Sequence, residues 1–219
     1  MSLTLYSYWR SSTSYKTRIA LNIKGLEYNI IPKHLVKDGG QQHGNDYKTL
    51  NPMAAVPAMT DGDFTIAQSN AILEYLDEQY PEPALLPPNI QARAYVRQIR
   101  DIIACEIHPL NNLRVLQKLK NDLNVSDDEK MEWYHDWIIR GFSALEQVIG
   151  NSAFYQGNHF CYGDNPTMAD CALIPQMYNA HRFNVPLDNY PILNKIYNNC
   201  IKLDAFEKAA PENQSDAEV

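Results

Sequence analysis

The sequence predicts an α/β amino-terminal half followed by an all-helical carboxy-terminal half. Short strand-like and helix-like segments alternate up to residue 80, and beyond residue 90 apolar residues recur almost throughout at helical spacing. Between them lies YPEPALLPPN, whose four prolines cannot continue a helix. The expected organisation is a first domain at residues 1–80, a linker at 81–89, a helical domain at 90–210 and a disordered polar tail at 211–219.

The first half opens with a strand–helix–strand unit. Leu3 and Leu5 alternate with polar or amphipathic neighbours, which predicts a half-buried strand. Residues 14–24 carry apolar side chains at helical spacing and are followed by Gly25, a common helix stop. A second strand is predicted at residues 28–31.

A hairpin and a helix complete this half. Residues 58–60 and 64–66 flank Asp61-Gly62-Asp63, and an Asp-Gly pair tolerates the positive φ of a tight turn. Ser69 is then expected to cap a helix whose apolar stripe contains Ile72, Leu73, Tyr75 and Leu76. The resulting βαβ–ββα order is that of a thioredoxin-like domain.

The second half is predicted to be a series of helices. A long helix passes through Ile99 and Ile107 with a kink at Pro109, and a final helix is lined by Leu193, Ile196, Tyr197 and Cys200. Two hydroxyl-x-x-carboxylate sequences, Ser126 with Glu129 and Thr167 with Asp170, predict capping boxes at helix N-termini.

Composition excludes several classes of partner. The net charge of −7 provides no basic footprint for nucleic acid or an anionic membrane. The first ten residues lack the pattern of a signal peptide, and no apolar run has the length of a membrane span. The four cysteines form no CxxC pair, which predicts buried free thiols in a reducing, cytoplasmic compartment, and the histidine spacing predicts no metal site. The cysteines are Cys105, Cys161, Cys171 and Cys200.

Three short segments are candidates for a binding site. Arg10-Ser11-Ser12-Thr13-Ser14 lies where the first strand meets the first helix, so its hydroxyls are placed to cap the helix, bind an anion or stabilise a thiolate. Val56-Pro57 precedes the hairpin, where a thioredoxin-like domain has a cis-proline beside an edge that can pair with an extended peptide. Gln68-Ser69 stands at a second helix N-terminus, a site for a carboxylate. Each has a purely structural alternative, but together they outline one peptide-sized groove.

These segments, with others, resemble the zeta class of glutathione S-transferases over nearly the whole chain. The resemblance lies in YSYWRSS from Tyr6, RIAL from Arg18, KDGGQQ from Lys37, LNPM from Leu50, and GDNPTMAD from Gly163, together with Val56-Pro57 and Gln68-Ser69. It implies the glutathione transferase fold, glutathione as cofactor, and a homodimer.

The resemblance also implies site residues. Ser11 would hydrogen-bond the glutathione sulfur, with Ser12, Thr13, Ser14, Tyr15 and Lys16 around it. Gln42 would contact the tripeptide, Val56 beside Pro57 would pair with the cysteinyl backbone, and Gln68 and Ser69 would hold the γ-glutamyl carboxylate. On the helical side the family's contact segment corresponds to His108, Asn112, Leu113 and Arg114, with Arg182 as the substrate-side arginine.

The chain departs from the family at Thr13, where the usual residue is cysteine. A protein thiol is thereby excluded at this position, so catalysis must rest on the sulfur of glutathione. Ser11, Ser12 and Arg182 are the expected catalytic residues. Arg10, Arg114 and Arg182 are expected to hold substrate carboxylates, because a chain of net charge −7 needs local cations to admit a dianion.

The implied activity is glutathione-dependent cis–trans isomerisation of maleylacetoacetate to fumarylacetoacetate in tyrosine catabolism. Addition of a thiolate to the cis double bond makes that bond rotatable, and expulsion of the thiolate yields the trans isomer. The alternatives are isomerisation of maleylpyruvate, a general transferase or peroxidase activity, and a non-catalytic binding protein with this fold. Tyr6 and Tyr8, near the end of the first strand, are expected to pack rather than to contact the sulfur.

Overall fold

The computed structural model describes residues 3–218, which form four strands and a succession of helices. In chain order these are β1 (Leu3–Ser7), α1 (Ser12–Ile23), β2 (Tyr28–Pro32), α2 (Asn45–Leu50), β3 (Ala58–Asp61), β4 (Phe64–Ala67), α3 (Ser69–Gln79), α4 (Ile90–Asp101), α5 (Leu113–Asn121), α6 (Asp127–Gly150), α7 (Met168–Arg182), α8 (Pro191–Cys200) and α9 (Asp204–Ala209). Short 3-10 turns lie at Lys37–Gly39, Gln41–His43 and Pro211–Asn213, and a π-helical segment at Ile102–Ile107. None of the helices described is long and apolar enough to cross a membrane.

The chain divides into two compact units. The N-terminal unit runs up to Leu85 and includes the chain from Ile201 onward, and the helical unit is Leu86–Cys200. The division falls inside the proline-rich segment. It differs from the expected organisation at the other end, because the last part of the chain packs with the first half.

The sheet of the N-terminal unit has the strand order β2-β1-β3-β4. β1 and β2 are parallel, whereas β3 runs antiparallel to β1 and β4, so the predicted βαβ–ββα order is confirmed. The register pairs Ser7 with Pro32, Tyr6 with Ala58, and Ala58 with Ala67. The carboxyl ends of β1, β2 and β4 and the start of β3 therefore meet at one edge of the sheet. This edge carries the candidate site.

Helix α1 is packed between the sheet and other helices of its unit. Its Ile19 and Leu21 are fully buried with Leu5 and Met59 of the sheet, and α1 contacts α3 and α9. The predicted hairpin is confirmed, with Gly62 at φ 57° in its turn. α1 begins at Ser12 rather than at the predicted Ser14, because the Ser11 side chain caps the helix earlier in the chain.

A buried ammonium group fixes the ends of α1 and α3 to each other. Lys24, whose side chain is fully buried, lies 3.0 Å from a carboxylate oxygen of Asp77. The same ammonium donates to the main-chain carbonyls of Tyr80 at 2.7 Å and Pro83 at 2.9 Å. Three acceptors around one cation satisfy its donors, and they fix the two helices that lead from the candidate site.

The helical unit contains both predicted capping boxes. Ser126 with Glu129 caps α6, and Thr167 with Asp170 caps α7. The Asp170 carboxylate is fully buried and accepts from the Cys161 main-chain N–H at 2.8 Å as well as from Thr167. Burial raises the pKa of the Asp170 carboxyl, and the hydrogen bonds from Cys161 and Thr167 oppose that shift.

Two predictions for the helical half differ from the structure. The long helix does not continue through a kink at Pro109: it passes into the π-helical segment and ends, and α5 begins only at Leu113. Proline lacks the main-chain N–H that would continue the helical hydrogen bonds. Here it ends the helix, whereas the sequence predicted only a kink. Cys105, in the π-helical segment, is exposed, whereas the other three cysteines are buried as predicted.

The C-terminal residues differ most from the prediction. The helix α8 is followed by α9 and a further 3-10 turn, and Gln214 donates to the carbonyls of Lys208 and Ala210 at 2.9 and 2.8 Å. The prediction of a disordered tail is therefore wrong for residues 211–218. A polar composition indicated disorder, but contacts with distant parts of the N-terminal unit order this segment.

Candidate active site

The turn between β1 and α1 places hydroxyl groups at a helix N-terminus. Ser11 is the N-cap, and its Oγ accepts from the Ser14 main-chain N–H at 3.3 Å. The Ser11 N–H donates to the Tyr8 carbonyl at 3.0 Å, which closes the turn. The other N–H groups of the first helical turn point into the space before the helix, where they attract an anion.

A chain of hydrogen bonds links this turn to the start of β3. The Thr13 hydroxyl donates to the Val56 carbonyl at 3.0 Å, and the Ser11 and Thr13 hydroxyls lie 3.0 Å apart. Thr13 has one hydroxyl hydrogen, and Val56 receives it, so Ser11 is the donor in the Ser11–Thr13 pair. The Val56–Pro57 peptide bond is cis, as the sequence predicted. Thr13 thus connects the two segments of the site in a way that its sequence position alone did not indicate.

The N-terminus of α3 lies at the same edge of the sheet, directly after β4. Ser69 is the first residue of the helix rather than its cap, which corrects the prediction, because Gln68 occupies the cap position with φ 71°. Gln68 is exposed and Ser69 is buried. The Lys16 ammonium donates to the Asn70 side-chain oxygen at 2.6 Å, and this bond joins the N-terminal parts of α1 and α3.

The loop after β2 contributes a buried amide. Gln42 is 7% exposed, and its Nε2 donates to the Leu35 carbonyl at 3.3 Å. Its Oε1 is buried without a hydrogen-bond partner in the described chain, so it is an acceptor that a ligand N–H could satisfy. Gly40, at φ 96°, leaves the room for this amide, since a Cβ there would lie 2.6 Å from Gln42 Nε2.

Other predicted residues of the turn pack into the interior. Ser14 is fully buried and Tyr15 is 4% exposed, so their side chains face the protein. Tyr8 is also buried, in an aromatic cluster with Trp9, Tyr47, Val56 and Ala58, and Tyr6 packs against it. The prediction that both tyrosines pack is confirmed.

A buried arginine that was not among the predicted site residues holds the turn from behind. Arg18 is fully buried and donates to the Ser7 hydroxyl at 3.0 Å, the Tyr8 carbonyl at 3.4 Å and the Trp9 carbonyl at 2.9 Å. Its Nε donates to the Ala209 carbonyl at 3.0 Å, 191 positions away in the chain. Burial lowers the pKa of Arg18 to about 10, so the guanidinium is still charged at neutral pH. No local pattern distinguished this arginine from a solvated helix residue.

The predicted arginines are distributed over both units. Arg10 is half-buried in the N-terminal unit, with its guanidinium 4.6 Å from the centre of the Trp9 ring. In the helical unit Arg114 is exposed in the first turn of α5, and Arg182 is exposed at the end of α7, 4.7 Å from the Phe183 ring centre.

The other predicted residues of the helical side lie where α5 begins. Asn112 is the N-cap of α5 and its side-chain oxygen accepts from the Arg114 N–H at 3.2 Å, while Leu113 is the first helical residue. The Asn112 amide nitrogen lies 3.4 Å from His108 Nε2. These four residues therefore form one local cluster, in which His108 and Asn112 are linked through their side chains.

The fold and the site together define a class of protein. A thioredoxin-like sheet whose edge combines capping hydroxyls, a cis-proline and a second helix N-terminus is the arrangement of a glutathione-binding domain. The family model described as "Glutathione S-transferase, N-terminal domain" matches residues 1–78.

Full-length comparisons narrow the class. The chain is 46% identical to a probable maleylacetoacetate isomerase of Vibrio cholerae, over 99% of both chains. It superposes with a TM-score of 0.94 and 41% identity on the holo structure of a maleylpyruvate isomerase described as a bacterial zeta-class glutathione S-transferase, covering 98% of this chain and all of that one. The Methylobacterium extorquens maleylacetoacetate isomerase, solved with bound malonate and glutathione, gives a TM-score of 0.93 at 35% identity over 99% and 100% of the two chains. The chain belongs to the zeta-class glutathione S-transferase family.

Proposed function

We propose that this protein is a glutathione-dependent isomerase that converts maleylacetoacetate to fumarylacetoacetate. The observation that carries the proposal is the Ser11 hydroxyl, held at the N-terminus of α1 and linked through Thr13 to the carbonyl of Val56. The full-length similarity to the Vibrio cholerae isomerase supports the choice of reaction.

The side chains at the edge of the sheet where β1, β2 and β4 end are suited to binding glutathione. Bound glutathione supplies a thiolate that adds to the cis double bond and leaves again after rotation. When glutathione binds, the Ser11 hydroxyl turns its one hydrogen from Thr13 to the ionised sulfur, and the N–H groups around Ser12 add to the stabilisation. The unpartnered Gln42 Oε1 accepts an N–H of the tripeptide, and Val56 beside Pro57 pairs with its cysteinyl backbone. Gln68, Ser69 and the nearby Lys16 hold the γ-glutamyl carboxylate.

The electrostatics of the turn are large enough for this role. A thiol pKa near 8.5 must fall by about two units to be mostly ionised at neutral pH, which requires about 2.7 kcal/mol. One hydrogen bond to a charged group contributes about 1.5–3 kcal/mol and a helix N-terminus about 0.3–1 kcal/mol. The two contributions together match the requirement, so the site needs no separate general base to ionise the sulfur.

The arginines are proposed to bind the substrate. Arg10 and Arg182 each present a guanidinium that an aromatic ring orients, and Arg114 is exposed in the first turn of α5. A guanidinium binds a carboxylate in a bidentate manner, which suits a dicarboxylate. The KM of the dicarboxylate in single Arg→Met variants tests this assignment.

We expect Thr13 to affect the pKa of the bound glutathione thiol. In Thr13→Val the Ser11 hydroxyl loses its competing acceptor and is free to donate to the thiolate, so the pKa of the bound glutathione thiol should fall by up to about one unit. The pKa is measured from the ultraviolet absorbance of the bound thiolate as a function of pH. Thr17→Val is the matched control, since the Thr17 hydroxyl donates to the Thr13 carbonyl within the helix. A rise of the thiol pKa in Thr13→Val would contradict the donor assignment.

An isomerase assay tests the proposal directly. Purified protein should convert maleylacetoacetate to the trans isomer with glutathione and show no conversion above the uncatalysed rate without it. A parallel chloronitrobenzene conjugation assay separates an isomerase from a general transferase. Failure to bind glutathione at millimolar concentration would favour a non-catalytic binding protein.

Maleylpyruvate is the second candidate substrate. The observation in its favour is the TM-score of 0.94 to a maleylpyruvate isomerase. Both substrates are cis-dicarboxylates that undergo the same addition and elimination, so one site serves either. The ratio of kcat/KM for the two substrates decides between them, and a higher value for maleylpyruvate would replace the primary proposal.

The family resemblance extends to the cellular setting. We infer a homodimer acting in the cytoplasm in tyrosine catabolism. Light scattering coupled to size-exclusion chromatography tests the dimer, for which a mass near 25 kDa would be the contrary result and twice that mass the expected one.

A further inference from the structure

The last residues that the structure describes lie against the turn that carries Ser11. The Asp216 carboxylate accepts from the Trp9 main-chain N–H at 3.1 Å, although the two residues are 207 positions apart. The Trp9 carbonyl accepts a hydrogen bond from the Arg18 guanidinium, whose Nε also donates to the Ala209 carbonyl. Both main-chain polar groups of Trp9 are thus fixed by contacts that involve the C-terminal segment.

Apolar packing and a second loop extend this contact. Ala217 packs against the aromatic cluster that includes Tyr8 and Trp9. Glu218 forms an ion pair with Lys37, and its carboxylate lies 3.7 Å from His34 Nε2. The His34 ring lies 4.8 Å from the Tyr8 ring. The exposed Lys37–Glu218 pair adds little energy, so Asp216 and Ala217 carry most of the contact.

The segment contacts two parts of the N-terminal unit: the turn that carries Ser11 and the loop that carries Gln42. Trp9 lies two residues before the Ser11 cap, and His34 is tied to the Gln41 backbone and side chain next to Gln42. We propose that residues 214–218, the C-terminal strap, position the Trp9–Ser11 turn for glutathione, with Asp216 as a positioning residue that acts through Trp9. This inference rests on the proposed function.

Removal of the Asp216 carboxylate should lower the fraction of molecules with a competent turn. Apparent affinity falls by that fraction, whereas molecules that have bound glutathione are all in the competent state. In Asp216→Ala we expect the Kd and KM for glutathione to rise about tenfold, about 1.4 kcal/mol, with kcat at saturating glutathione within about threefold of the wild type. A chain that ends at Gln214 should show at least the same loss.

The experiment is calorimetric titration with glutathione and steady-state kinetics on these variants, with thermal unfolding to verify that each is folded. Ser215→Ala is the control, since Ser215 is an exposed residue of the same strap. Asp216→Asn keeps an oxygen acceptor for the Trp9 N–H and should bind glutathione within about threefold of the wild type.

Three results would overturn the inference. They are wild-type affinity in both Asp216→Ala and the shortened chain, an equal loss in Ser215→Ala, and an Asp216→Asn variant as weak as Asp216→Ala. A wild-type protein that does not bind glutathione would instead contradict the proposed function, so the two failures are distinguishable.

Discussion

Replacing Ser11 with alanine should lower isomerase kcat/KM about 20-fold at pH 7, because the bound thiol returns toward its ordinary pKa of about 8.5 and only about 3% of it is ionised. The effect depends on pH in a defined direction. The lowered pKa increases the ionised fraction at every pH below about 8.5. Above pH 9 the thiol is mostly ionised in both proteins, so the deficit should shrink to less than about 1.5-fold. The pH profile of kcat/KM from pH 6 to 9.5 measures both quantities.

Controls separate the loss of a hydroxyl from the loss of a helix cap. Ser11 caps α1, and removal of such a cap costs about 0.5–2 kcal/mol of stability. Ser126→Ala removes a comparable cap from α6, outside the candidate site, and should leave kcat/KM unchanged. Tyr6→Phe and Tyr8→Phe should be mild, because both rings pack in or against the aromatic cluster. A deficit in Ser11→Ala that persists at pH 9, or a larger loss in Tyr8→Phe, would disprove the role of Ser11.

Replacing Lys24 with methionine should destabilise the protein by about 3–5 kcal/mol, because it leaves a mostly buried Asp77 carboxylate without its cation. The carbonyls of Tyr80 and Pro83 lose a donor in the same step. For a chain of this length, the midpoint of thermal unfolding should fall by about 10 °C.

The matched control carries the same change of charge on the surface. Lys48 is an exposed residue of α2, so Lys48→Met should shift the midpoint by no more than about 1–2 °C. Differential scanning calorimetry on both variants provides the comparison. Equal shifts would show that the buried pair contributes nothing beyond net charge.

Much of the fold could be predicted because its signals are local. Alternation in β1, the Asp-Gly turn of the hairpin, and the capping boxes of α6 and α7 each depend on residues within a few positions of one another. Such patterns predict structure because the conformational preferences behind them depend only on residues that are close in sequence. The three candidate segments at residues 10–14, 56–57 and 68–69 were recognised for the same reason, since each is a short turn or cap.

The tertiary structure decided how those segments work together. The strand register brings the start of β3 beside the end of β1, and only then does Thr13 meet Val56. Arg18 was indistinguishable from a surface arginine until its carbonyl partners surrounded it. The ordered C-terminal strap depends on Asp216 meeting Trp9 across 207 positions, and polar composition predicted the opposite. Sequence alone therefore determined the elements, their order and the chemical character of the site, whereas the contacts that aim Ser11 came from packing, because hydrogen bonds between distant residues leave no periodic trace along the chain.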